Sequence, residues 1–154
     1  MSPRSGYRAL APLAAILGLA LVPAVAAQRR PARVITTGRS IEDTLRKSDV
    51  LLARDSTYAR EWQFQAVRGE VVTIDLASER FDAYLVVYGP GLTRDLQDDD
   101  SGGNCNARLT VRFPESGAYH IAVTSTYKLQ TGPFTLSVAS GVKPKLLSRC
   151  RRNR

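Results

Sequence analysis

Six short runs in this chain set apolar against polar residues with a period of two, and glycine or proline turns separate them. Trp62, Phe64 and Ala66 alternate with Glu61, Gln63 and Gln65. Val72, Ile74 and Leu76 alternate with Thr73 and Asp75, and Leu109, Val111 and Phe113 with Arg108, Thr110 and Arg112. Tyr119, Ile121 and Val123 alternate with His120, Ala122 and Thr124, and Phe134, Leu136 and Val138 with Thr135 and Ser137. Residues 84–88 are mostly apolar and end at Gly89-Pro90-Gly91. Period two sends successive side chains to opposite faces of a strand, so each run has one dry and one wet face. Several such strands with Gly/Pro punctuation predict an all-β sandwich or barrel of antiparallel strands, in two sheets. No segment carries the stripe of a long amphipathic helix. Ser40, Ile41, Glu42 and Asp43 resemble a helix capping box, but Ile41, Leu45 and Val50 do not continue it, which predicts a turn or a short strand. The expected core is Trp62, Phe64, Ile74, Leu76, Leu85, Val87, Val111, Phe113, Tyr119, Ile121, Phe134 and Leu136.

The two ends differ from this middle. Arg4 and Arg8 precede a nearly unbroken apolar run over residues 9–22, and Val25-Ala26-Ala27 supplies small residues before Gln28. That layout predicts a secretory signal peptide over residues 1–27. Pro12 and Pro23 interrupt the run, which argues against a membrane anchor, and no later segment is apolar enough to span a bilayer. The mature chain is expected to be secreted or periplasmic. Residues 28–43 read as a flexible basic lead-in, 44–140 as the folded domain and 141–154 as a basic tail. The net charge of +8 divides accordingly: residues 28–47 hold six Arg/Lys against Glu42 and Asp43, and residues 142–154 hold six and no acid, whereas residues 48–141 hold eight against twelve acids. Basic ends of this kind suit an anionic surface, or are plain solvated tails.

Residues 81–106 join the apolar run at 84–88 to an acidic, Gly- and Asn-rich loop: FDAYLVVYGPGLTRDLQDDDSGGNCN. With "EVVTIDLASE" before it and "ESGAYHIAVTS" and "TGPFTLSV" after it, the chain from Thr44 to Val138 resembles the bacterial pre-peptidase C-terminal domain family. The resemblance rests on Phe81-Asp82 with Tyr84-Leu85, on Asp98, Asp99 and Asp100, and on Gly117-Ala118-Tyr119. It implies a jelly-roll β-sandwich, non-enzymatic, of the kind that trails secreted peptidases and is related to collagen-binding domains of clostridial collagenases. Residues 1–43 do not read as a peptidase domain, so the role of an appendage to a protease is not expected to transfer. Some members of the family bind calcium through acids near the domain's N-terminal end, to which Glu42, Asp43, Asp49 and Asp55 correspond loosely.

Three sets of residues stand out as candidate sites. Asp98, Asp99, Asp100 and Asn104 have the oxygen-rich composition that calcium needs, but not the spacing of a helix-loop-helix site. The competing reading is a polar turn whose side chains bond their own backbone. Asp82, Tyr84 and Tyr88 share one strand face by alternation, and two tyrosines there suit a carbohydrate or an extended peptide, unless a second sheet buries them. Cys105 and Cys150 are the only cysteines, and in an exported chain they are expected to pair as an intramolecular disulfide, with free thiols or pairing between chains as the alternatives.

Catalytic chemistry finds little support. His120 is the only histidine and falls on the wet face, there is no G-x-S-x-G turn, and one His with two separated Cys does not make a zinc site. The expectation is an exported, monomeric, non-enzymatic module that binds or stabilises an extracellular or envelope protein or polysaccharide. It should need no cofactor beyond an optional calcium, and no specific nucleic acid. The rival readings are a small secreted hydrolase using Asp82 or the acidic loop, and an adhesion protein working through its basic tails.

Overall fold

The structure, a computed structural model, describes residues 32–146 together with Ser148 and Cys150. The signal peptide reading over residues 1–27 lies outside them. Nine strands follow one another: β1 (Arg39–Leu45), β2 (Val50–Leu52), β3 (Thr57–Ala66), β4 (Val71–Ala77), β5 (Ala83–Tyr88), β6 (Leu96–Asp98), β7 (Ala107–Arg112), β8 (Gly117–Ser125) and β9 (Gly132–Ser140). They form two antiparallel sheets, one of four strands in the order β1-β9-β4-β7 and one of five in the order β2-β3-β8-β5-β6. The chain crosses between sheets at six of the eight connections; only β2–β3 and β5–β6 are hairpins within one sheet. None of the described residues is helical.

The dry faces of the alternating runs fill the space between the sheets. All twelve expected core residues are buried, and Ile35, Leu45, Val72, Phe81, Val123 and Val138 join them. Each such side chain contributes about 1.5–3 kcal/mol by leaving water, before the entropy of ordering is subtracted. Aromatic rings bridge the sheets: Trp62 meets Phe134 edge-on at 5.5 Å, Phe64 stacks on Phe113 at 5.4 Å, and Phe113 leans on Tyr119 at 4.4 Å. Tyr119 is wholly buried, yet its hydroxyl donates to the carbonyls of Pro90 and Glu115. A Cβ at Gly89 would stand 2.5 Å from that ring, so only glycine fits where the β5–β6 turn lies on Tyr119.

The lead-in reading needs correcting. The Gln63 N–H donates to the Arg33 carbonyl at 2.7 Å, and the Ile35 N–H to the Gln63 carbonyl at 2.9 Å. Residues 33–35 therefore pair with the part of β3 that β2 leaves open, since β2 reaches only Thr57, Tyr58 and Ala59. Ile35 plugs the core, and from Arg39 the chain joins β9 at the edge of the other sheet. No periodicity announced this because the segment is shared between two sheet edges and β1 buries only Leu45 fully.

The C-terminal segment, though largely exposed, is likewise tied to the fold by hydrogen bonds up to Leu146. The Gly141 N–H donates to the Val71 carbonyl at 2.8 Å and the Lys143 N–H to Thr73 Oγ1 at 3.0 Å. Lys143 Nζ pairs with Asp75 at 2.7 Å beside Arg108, whose guanidinium bonds both Asp75 and the Pro144 carbonyl. The Leu146 N–H then reaches the Ser101 carbonyl at 2.9 Å. Cys150 is joined to Cys105 by a disulfide, with their Cα atoms 4.4 Å apart.

Candidate functional site

The outer face of the five-stranded sheet takes its composition from the wet halves of the alternating runs. Register lines them up in rows. Gln63 on β3 faces His120 on β8, which faces Tyr88 on β5; in the next row Glu61 faces Ala122, then Val86, then Gln97 on β6. Tyr84 stands in the row beyond, opposite Thr124. No Lys or Arg occurs among these outward positions, although the chain holds 22 of them against 14 acids.

Tyr88 and His120 lie with their rings nearly parallel, 4.9 Å between centroids and 7° between planes. Glu61 holds the pair from the next strand: its Oε1 is 2.6 Å from His120 Nδ1, and its Oε2 accepts the Tyr88 hydroxyl. The imidazole Nδ1 therefore carries the hydrogen, because a carboxylate oxygen only accepts. Tyr84 donates its hydroxyl to Gln97 Oε1. Partial burial, then the bond to Glu61, then the negative charge of Glu61 and Asp95 push the Tyr88 phenol well above its usual range. Partial burial also raises Tyr84, with the charges of Asp99, Asp55 and Asp98 behind it. Both phenols are thus un-ionised donors in a strongly negative field. Both tyrosines are half-buried rather than covered by the second sheet.

Asp82 does not stand with them. It precedes β5, is 4 % exposed, and its carboxylate accepts from the Thr126 hydroxyl at 3.2 Å. Its main chain is held as well, by the Thr126 N–H on its carbonyl and by Gln130 on its N–H. The Cys150 sulfur lies 3.3 Å from its other oxygen. Alternation predicted the wrong neighbours because β5 begins only at Ala83, one residue past the turn that sets Asp82 inward. Phe81-Asp82 thereby ties the β4–β5 crossing to the β8–β9 loop.

The acidic loop folds as a hydrogen-bonded turn. Asp98 Oδ2 accepts from the Ser101 N–H at 3.0 Å and from the Arg108 N–H at 2.9 Å, and the Gly103 N–H donates to the Asp100 carbonyl at 2.8 Å. Asn104 is exposed, with a positive φ of 55°. Among the described residues, Asp98, Asp99 and Asp100 make no set whose ligand atoms all lie within 4.8 Å of one another. Asp82, Cys105 and Cys150 do so, but both sulfurs are spent in the disulfide, which leaves no thiolate for a metal. Desolvation, with Asp99 and Asp98 as like charges, raises the Asp100 carboxyl above its ordinary value.

Of the acids near the N-terminal end, Asp43 and Asp49 already face a cation of the chain's own. Arg60 on β3 points inward, is 7 % exposed, and lies 2.6 Å from Asp43 on β1 and 2.9 Å from Asp49 in the β1–β2 turn. Burial alone would raise the Asp43 carboxyl, but the Thr44 N–H, the Arg60 bonds and the Arg60 and Arg46 charges outweigh it and hold it low. Sequence reading missed Arg60, although its even position among Trp62, Phe64 and Ala66 on β3 carried the signal.

No protein-family model matches the chain, and no curated protein is similar to it. Among solved structures it is similar to the pre-peptidase C-terminal domain of collagenase from Bacillus anthracis, with 19% identity and a TM-score of 0.48 over 71% of this chain and 98% of that one. It is similar also to periplasmic inhibitors of g-type lysozyme, PliG, from two bacteria. That of Salmonella Typhimurium has 16% identity and a TM-score of 0.48 over 71% of this chain and 99% of that one. For that of Aeromonas hydrophila the values are 16%, 0.45, 71% and 99%. These are likenesses of fold, and the first is to the family that the sequence motifs resemble.

Proposed function

We propose that this protein is an exported, non-enzymatic binding module, acting at the cell envelope or outside the cell, whose partner docks on the outer face of the five-stranded sheet. One observation carries the reading: Tyr84, Tyr88 and His120 lie half-exposed on a face that no described strand covers, while the opposite face of the same strands is packed into the core. Tyrosines offer apolar area with a polar tip and lose little conformational freedom on docking, which suits a recognition surface. The disulfide supports an oxidising compartment. The non-enzymatic reading is supported by the fate of the reactive groups. Cys105 is committed to its disulfide, and the Asp98 carboxylate to backbone N–H groups. Of the basic tail's cations, Lys143 is paired with Asp75, which removes that charge from any adhesive role.

The test is capture from envelope extracts and culture medium by the immobilised mature protein, beside a Val86→Arg variant that blocks the middle of the face. A partner retained by the first and lost by the second is the expected result. Equal capture by both places the binding elsewhere, and turnover of any substrate in a hydrolase panel by the purified protein overturns the non-enzymatic reading.

A further inference from the structure

Resting on that assignment of the face, we propose that its ligand is a cationic polypeptide: a Lys- or Arg-bearing segment laid across β5 and β8. The argument is charge complementarity. Tyr88 lies in the field of Glu61 and Asp95, and Tyr84 in the field of Asp99, Asp55 and Asp98, so acids from four parts of the chain surround one aromatic surface. The outward rows across it supply no Lys or Arg to neutralise them, in a chain of net charge +8. Two cations of the folded domain are consumed elsewhere, Arg60 between Asp43 and Asp49 and Arg108 on Asp75; of the acids around the face, Asp55 has the exposed Arg54 at 3.9 Å.

Between the tyrosines the floor is low, because Val86 and Ala122 occupy the row that separates Tyr84 from Tyr88. A side chain reaching into that row meets tyrosine rings at its flanks and the Glu61 carboxylate at its end. A guanidinium or ammonium gains from both, through the ring quadrupole and through the acid. A neutral glycan would use the rings but gain nothing from the acids, and an anionic polymer would be repelled. The acids Asp95 and Asp99 are exposed, so the attraction acts mainly on encounter and is screened by salt.

The experiment is NMR titration of the isotope-labelled mature protein with three probes: an alternating Lys-Ser decapeptide, its Glu-Ser counterpart, and a neutral chitooligosaccharide. The expected result is movement of Tyr84, Val86, Tyr88, His120 and Ala122 amides with the Lys-Ser peptide alone. Affinity should fall roughly tenfold or more between low and near-physiological salt, as for steered charged partners. It should fall again in an Asp95→Asn, Asp99→Asn variant, whose exposed positions leave the fold intact. Binding of the glycan at this face with equal or greater affinity keeps the site and overturns the cationic class. Perturbation by the Lys-Ser peptide confined to other strands overturns the site itself. No movement with any probe, or movement indifferent to salt and to the double variant, overturns the inference.

Discussion

A buried guanidinium must have its charge met by nearby acids, and Arg60 has Asp43 on one side and Asp49 on the other. The three residues come from β3, β1 and the β1–β2 turn, so they fasten the two sheets together at one edge. Arg60→Met should cost about 3–5 kcal/mol, mostly because it leaves two carboxylates facing each other with only the half-exposed Arg46 beside Asp43. Adding Asp43→Asn and Asp49→Asn to that variant should recover part of the loss, and denaturant unfolding of both proteins checks the pair. The pH dependence follows from the sign of the Asp43 shift. Its carboxyl is held below the ordinary value of 3.8, so its contribution is fully present above that value and is lost as pH falls through the depressed one. Acid unfolding below about pH 4 should therefore be steeper in the parent than in the triple variant. At the core, Trp62→Ala should cost about 3–5 kcal/mol, whereas Gln63→Ala, on the other face of β3, should stay within about 0.5 kcal/mol. Equal melting temperatures for those two would mean that β3 presents the other face to the core.

The element with most to lose is the C-terminal strap over β4 and β7. Its hydrogen bonds to Val71, Thr73 and Ser101 and its ion pair with Asp75 are individually modest, and the disulfide holds its end in place. Closing a loop over a separation of 45 residues is worth about 4 kcal/mol in the chain-entropy model. Cys105→Ser with Cys150→Ser should lower the melting temperature by several degrees or more, and reductant should do the same to the parent and nothing to the variant. Hydrogen exchange should then rise first at Lys143 and Leu146. Gly103 offers a second test, since a Cβ there would stand 2.5 Å from Ser148 Oγ and the residue already has a φ of +76°. Gly103→Ala should loosen the strap with the disulfide intact, visible as faster exchange at Leu146.

For the whole molecule, charge is the property that location changes most. A chain of net +8 nevertheless sets Glu61, Asp95, Asp98 and Asp99 around one outer face and the loop after β6, so the single figure does not describe that surface. Calcium tests how that acidity is organised. The carboxylates of Asp98, Asp99 and Asp100 do not converge, and Asp43 and Asp49 already hold Arg60. Millimolar calcium should leave the melting temperature unchanged, and chelator likewise; a rise with calcium that chelator reverses would show a site that binds the folded state.

Much of this was written locally. Period-two alternation fixes which side chain of a strand is wet and which is dry, because the pleat allows no other choice, so the all-β class and the whole expected core were legible in runs such as Trp62-Gln63-Phe64 and Tyr119-His120-Ile121. The cysteine pair was legible because only two were present. Pairing between distant strands is different, since it depends on which edges meet once the sheets have formed. Nothing near Arg33 or Ile35 in sequence says that they complete the open edge of β3, and nothing near Lys143 says that Asp75 awaits it. Asp82 was misplaced because alternation holds only inside a strand, and β5 starts one residue later. The Glu61–His120–Tyr88 cluster spans residues 59 apart at its ends in β3 and β8, and the Arg60 ion triad spans three elements. Register across strands brings such groups together, and register is a property of the assembled sheets, not of any one segment of the chain.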